Sequence, residues 1–154
     1  MIIRDANLDD SDDIYNWRND KLSREMFFDS SVISKETHDS WFKKTLNSNN
    51  NKIYIGEKDN AKIGVCRFEK NKNEQIAEVS ININPNFRGK GLSSDLLNDS
   101  INFYLKKNYI DLNARVKNKN EISQKIFKKV GFYVDEINES EIKFLLPKSN
   151  LKFE

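Results

Sequence analysis

The chain has 154 residues, 32% of them charged and 37% hydrophobic, and its net charge is only +2. That length suits one domain with a core of its own, and the near-cancelling charge carries no nucleic-acid signature, so no nucleic-acid partner is expected. A single cysteine, Cys66, excludes an internal disulfide, and no cluster with metal-ligand spacing is present, so no metal is expected. No signal peptide or spanning segment is visible, because Met1-Ile-Ile-Arg-Asp5 is short and charged early. The expected setting is the reducing cytoplasm, without a membrane partner.

Ile2–Arg4 reads as a first strand. Asp9–Arg18 reads as a helix with Ile14 and Trp17 inward and acids crowding its first turn. Ser34 caps a second helix, with Thr37, Trp41, Phe42 and Leu46 near one face. Lys52–Glu57, Ala61–Glu69 and Gln75–Ile83 are three strands at hairpin spacing. A long helix over Leu92–Lys107 precedes a strand at Asp111–Lys117. Glu121–Val130 is a helix with Ile122, Ile126, Phe127 and Val130 inward, ended by Gly131. Phe132–Ile137 and Glu141–Leu146 close the chain as a hairpin. That hairpin and the tail Ser149–Glu154 offer surfaces for a homodimer.

The most informative segment is Ile81-Asn-Ile-Asn-Pro-Asn-Phe-Arg88-Gly89-Lys90-Gly91-Leu92-Ser93. A strand runs through a glycine turn into a helix, which leaves unpaired backbone N–H groups where the helix dipole favours an anion, above all a pyrophosphate. The spacing is not Gly-x-Gly-x-x-Gly, because position 94 is Ser, and no Gly-Lys-Ser/Thr makes a P-loop. A dinucleotide or nucleoside triphosphate is therefore not the expected anion.

With these residues the chain resembles the GNAT superfamily of acyl-CoA-dependent N-acyltransferases. That family's phosphate loop reads Arg/Gln-x-x-Gly-x-Gly/Ala, matched here by Arg88-Gly89-Lys90-Gly91-Leu92-Ser93 with Ser in the last small position. A second mark is Asn120-Glu-Ile-Ser123, followed by Phe127 and Gly131-Phe132, similar to the family's Asn-x-x-Ser/Ala…Tyr/Phe-x-x-x-Gly-Phe segment. The resemblance implies an α/β (α+β) GNAT fold in one domain over residues 1–154, with a mixed twisted central sheet, splayed parallel strands and flanking helices. It also implies acetyl-CoA as the acyl donor, held by Ile81, Asn82 and Ile83, by the loop from Arg88 to Ser93, and by Asn120 and Phe127. Backbone N–H groups around Ile81–Ile83 would pair with the pantetheine arm and polarise the thioester carbonyl.

Direct transfer to an amine needs a base and benefits from an acid for the leaving thiolate. Glu78 is the first base candidate: it shares a strand face with Ser80 and Asn82, and its apolar flanks Ile76, Ala77 and Val79 suggest a raised pKa. Many family members carry Tyr as the acid where this chain has Phe127, so water or Tyr133 substitutes, or the CoA thiolate leaves without an acid. Trp17-Arg18-Asn19 and the helix Ser34-x-Glu36-x-His38-x-x-Trp41 resemble the branch that acetylates the 4-amino group of UDP-linked deoxy-amino sugars in pseudaminic-acid-type glycan pathways. Arg18, Met26, Phe27 and Trp41 are then acceptor-binding candidates, and His38 orients the acceptor or shares the base role. Trp-Arg-Asn and the Asn120 segment also occur in ribosomal-protein N-terminal acetyltransferases. A protein N-terminus, an aminoglycoside or a polyamine thus remains open as acceptor, with Asp9, Asp10, Asp12 and Asp13 as the one acidic cluster for a polycation. A non-catalytic acyl-CoA-binding module is the further alternative.

Overall fold

In the computed structural model, which describes residues 1–73 and 75–150, the strands are β1 (Ile2–Asp5), β2 (Asn51–Lys58), β3 (Ala61–Lys70), β4 (Ile76–Ile83), β5 (Asp111–Lys117), β6 (Tyr133–Ile137) and β7 (Glu141–Leu146). The helices are α1 (Ser11–Asn19), α2 (Lys21–Met26), α3 (Lys35–Leu46), α4 (Leu92–Leu105) and α5 (Glu121–Val130). Residues 151–154 of the tail read as a dimer surface lie outside the described residues.

All seven strands join one sheet in the order β1-β2-β3-β4-β5-β7-β6. Every pairing is antiparallel except β4 with β5, which is parallel and short: Ile76, Ala77 and Glu78 face Asp111, Leu112 and Asn113. Beyond Glu78 and Asn113 the two strands part. The expected GNAT arrangement, a mixed sheet with splayed parallel strands between helices, is what the chain adopts.

The parting leaves one side of β4 unpaired. Asn84 N–H donates to Ile63 O (2.8 Å) and Asn71 N–H to Ile76 O (2.9 Å), which sets the phase of the β3–β4 ladder. Even-numbered backbone groups of β4 bond to β3, so those of Ile81 and Ile83 face the gap.

Side chains alternate across the same strands. Ala77, Val79, Leu112 and Ala114 are buried beneath α4 and α5, where Tyr104 stacks on Phe68 with ring centroids 4.1 Å apart. On the opposite face Ile14, Trp17 and Phe42 of α1 and α3 cover Ile53, Ile55 and Val65. Each fully buried large side chain contributes about 1.5–3 kcal/mol. α1 reaches β4, yet Glu78, Ser80 and Asn82 line an open cleft rather than core.

Three local readings change. Helix α2 has only six residues, too few for a periodic signal; Asp20 caps it by accepting from Ser23 N–H (3.1 Å). In α3 the buried face is His38 and Phe42, while Thr37 is exposed and hydrogen-bonds Ser34. In α5, Ile122 is 75% exposed because the first turn stands at the lip of the gap, not over the core.

The acids of the first turn are also placed differently from a simple dipole reading. Asp10 is buried and takes two hydrogen bonds from Arg4 (both 2.8 Å), one from Asn7 N–H (2.9 Å) and an ion pair from Lys62 (2.8 Å), which joins β1 and β3 to α1. Burial pushes its carboxyl up, but the hydrogen bonds from Arg4 and Lys62 outweigh that and hold it well below the usual range. The folded value lies below the unfolded one, about 3.9. Its stabilisation is therefore present above that pH and lost as pH falls through and below it. Asp10→Asn should cost about 2–3 kcal/mol at neutral pH, since Arg4 and Lys62 keep some water contact, and should flatten the acid-side loss of stability. Urea unfolding at pH 7 and pH 3 checks this; a variant as stable as the parent at pH 7 contradicts it.

Candidate active site

The parted strands open a cleft of about 570 Å³. Its lower end is the turn after β4. Asn84 caps a short 3-10 turn at Pro85–Phe87, and the chain then passes through Arg88–Gly91 into α4. Gly89 and Gly91 both have φ +73°, and a Cβ built on either would meet no neighbour within 4 Å. The glycines therefore serve the left-handed backbone and an open approach, not a tight packing contact. Gly91 takes the cap position of α4 without a capping side chain, which leaves the first-turn N–H groups of Leu92 and Ser93 facing outward.

Arg88 does not point freely at the expected anion site. Its guanidinium pairs with Asp20 and donates to Ser23 Oγ (2.6 Å), which in turn donates to Asn82 Oδ1 (3.1 Å). Arg88 thereby holds the Asp20 carboxyl below its ordinary value and ties the loop to α2. Lys90 lies over the Phe87 ring at 5.2 Å. The loop thus offers backbone donors more than side-chain charge.

Across the gap, Asn120 caps α5 by accepting from Ser123 N–H (3.1 Å); its amide NH2 has no acceptor among the described residues. Phe127 lies one turn beyond Ser123, packed edge-on against Phe132 at 5.1 Å and stacked on Phe144 at 5.9 Å. Ile81, Ile83, Asn120 and Phe127 all line the cleft.

The upper end of the cleft is built of arginines on aromatic rings. Arg18 lies over Phe27 and Arg115 over Phe28 (both 5.3 Å), and Arg67 over Trp41 (5.2 Å). Asn19 accepts from Ile33 N–H (2.9 Å) and donates to Ile33 O (3.0 Å), clamping the loop that carries Phe27 and Phe28. In Trp17-Arg18-Asn19, therefore, Trp17 is core, Asn19 is a clamp, and Arg18 faces the cleft with Met26.

Glu78 lines the cleft, but not in the apolar setting expected from its neighbours. Its Oε1 accepts from Arg115 Nε at 2.5 Å, so the carboxylate is ion-paired and oriented. His38 is a correction. It is 0% exposed, its Nε2 lies 3.0 Å from Ser11 O, and Tyr15, Trp41 and Phe42 surround its ring. Burial lowers its pKa, and it does not line the cleft; the Trp41 ring, which it contacts, does. Tyr133 is a second correction: 46% exposed on the edge strand β6, it is absent from the cleft wall and so is not placed to protonate a thiolate there. Arg67, Arg115 and Phe28 are cleft residues that the sequence reading missed. Period-two alternation from Glu78 through the neighbouring strands would have put both arginines on its face. Among the described residues no group of three His, Cys, Asp or Glu side chains is placed to hold a metal ion, and no helix is long and apolar enough to cross a membrane.

Strands that part over a glycine turn opening a helix define the acyl-CoA-dependent N-acetyltransferase class. A family model described as an acetyltransferase (GNAT) domain matches residues 1–133, and the chain belongs to that family. No curated protein matches it. Among solved structures, it is similar to spermidine N-acetyltransferase from Vibrio cholerae in complex with CoA and spermine (TM-score 0.86, 18% identity, 97% of this chain and 96% of that one). An N-acetyltransferase from Staphylococcus aureus Mu50 is also similar (TM-score 0.80, 22% identity, 96% and 98%). So is a domain from Methanocaldococcus jannaschii DSM 2661 (TM-score 0.80, 22% identity, 94% and 96%). At these identities the likeness is one of fold.

Gly91→Glu should weaken acetyl-CoA binding by about 100-fold or more, because it adds backbone strain and a negative charge at the helix start where the donor phosphates are expected. Gly91→Ala adds the strain alone and should lose less. Calorimetry checks both, and unchanged affinity in Gly91→Glu contradicts the loop assignment.

Proposed function

We propose that this protein transfers the acetyl group of acetyl-CoA to the 4-amino group of a UDP-linked deoxy-amino sugar, a step in surface-glycan synthesis. The observation that carries this reading is the charge of the cleft. Arg18, Lys52, Arg67, Arg88 and Arg115 line it with Glu69 and Glu78; Arg88 is paired with Asp20 and Arg115 with Glu78, which leaves Arg18, Lys52 and Arg67 against Glu69. A polycation such as spermine would meet like charge there, whereas a nucleotide diphosphate meets arginines and a base or sugar ring meets aromatic faces. The acidic run lies apart from this cleft: Asp10 and Asp13 pair with Lys62, Asp12 pairs with Lys35, and none of the three lines it, whereas Asp13 lines a separate groove with Asp20 and Asn84.

On this reading the donor pyrophosphate takes the N–H groups at the start of α4. The pantetheine arm adds itself along β4, bonding the backbone of Ile81 and Ile83 and the free amide of Asn120. A backbone N–H of β4 polarises the thioester carbonyl. The acceptor nitrogen attacks the carbonyl carbon, the C–S bond breaks and CoA leaves as thiolate. Glu78, held by Arg115, receives the amine proton directly or through water. Phe127 has no proton to give, so water protonates the thiolate.

Thiol release from acetyl-CoA should be fast with UDP-linked 4-amino-4,6-dideoxy sugars and slow with spermine, N-terminal peptides and aminoglycosides. Turnover confined to spermine or peptides contradicts the proposal, and silence on every amine with acetyl-CoA bound points to a non-catalytic module. Glu78→Gln should lower turnover on the accepted amine by about 100-fold or more while acetyl-CoA affinity is kept. Unaltered turnover removes Glu78 as the base.

A further inference from the structure

We propose that Arg67, with Arg18 beside it, is an anion clamp that fixes the acceptor through its phosphate, so that the cleft selects amines carrying a phosphate or pyrophosphate. This deepens the function proposed above and rests on it for the identity of the amine.

Arg67 sits on β3 opposite Ser80 of β4, and alternation sends its side chain to the same face as Glu78 and Asn82. It is half-buried in the cleft wall with its guanidinium over Trp41. Among the described residues it makes no ion pair and no hydrogen bond. Glu69 and Glu78 share the cleft, yet neither closes an ion pair with it, and Glu78 is already held by Arg115. Arg18 likewise has a ring beneath it, Phe27, and among the described residues closes no ion pair or hydrogen bond, although its charge reaches the exposed Asp29 carboxylate.

Five guanidinium N–H donors without an acceptor are costly away from bulk water. A second guanidinium nearby adds repulsion: burial first and Arg18 next pull the Arg67 pKa below its ordinary value, against the opposing pull of Glu69 and Glu78. A protein that meant only to stabilise this site would pair or replace one of the two charges. What both lack is an external dianion, whose oxygens match the planar donor edge of arginine.

The rings explain how the edge is aimed. Trp41 lies beneath Arg67, and the buried His38 braces Trp41 from behind, with ring centroids 5.8 Å apart and Nε2 fixed on Ser11. His38 is thus a support for the clamp, not a proton carrier.

The test is calorimetry of UDP and of inorganic pyrophosphate on the full chain saturated with CoA, so that the loop at α4 is already filled. The parent should bind both. Arg67→Met, which keeps the stem over Trp41, should weaken them by about tenfold or more, and Arg67→Lys by less, with CoA affinity unchanged and melting temperatures close to the parent's. Parent protein that binds neither probe, or an Arg67→Met variant that binds both as well as the parent, overturns the clamp. The sugar assignment is tested separately. Arg67-dependent UDP binding without turnover of UDP-amino sugars keeps the clamp and removes the sugar. Turnover of UDP-amino sugars with KM unchanged in Arg67→Met keeps the sugar and removes the clamp.

Discussion

The structure depends on β4 and β5 losing contact after Glu78 and Asn113. Parallel strands that stayed paired would satisfy each other's backbone and leave no opening. Here the pairing ends three residues in, so the groups of Ile81 and Ile83 stand without a strand partner in an otherwise well-bonded sheet. The cleft is the consequence: its floor is an unfinished ladder, its lower end is the helix start at Gly91, and its walls are α5 and the α1–α3 layer.

Much of the charge near this opening serves to build it. Arg88 is bound to Asp20 and Ser23, which fixes the glycine turn against α2. Arg115 is bound to Glu78. Asp10, Arg4 and Lys62 join β1, β3 and α1 away from the cleft. Arg18 and Arg67 stand outside this pattern: each lies over an aromatic ring and closes no ion pair or hydrogen bond among the described residues. On the proposed reading, the contrast between neutralised and unpaired arginines separates scaffold from recognition.

The fold was readable because its signals are local. Alternation gave the strands, Ser34 and Asn120 gave helix starts, and the glycine turn gave the passage from β4 into α4, each within a residue or two of its observed place. The site was readable only in part, because side-chain roles are set by partners far along the chain. Glu78 looked apolar-flanked in sequence, but the neighbours that matter are across the strands, and one of them is Arg115. His38 looked like an acceptor ligand from its motif, yet its turn of α3 faces α1 rather than the cleft. Tyr133 follows Phe132 by one residue, and on a strand that single step moves a side chain from the core to the solvent face. Helix α2 was invisible because six residues carry no period.

The measurement that bears most directly on this account is amide hydrogen exchange, residue by residue, with and without CoA. Asn82 N–H, bonded to β3, should exchange slowly in both states. Ile81 and Ile83 N–H, facing the gap, should exchange much faster in the free protein and become protected when CoA binds. If Ile81 and Ile83 are already protected in the free protein, or stay unprotected with CoA bound, the unfinished ladder is not where the donor lies.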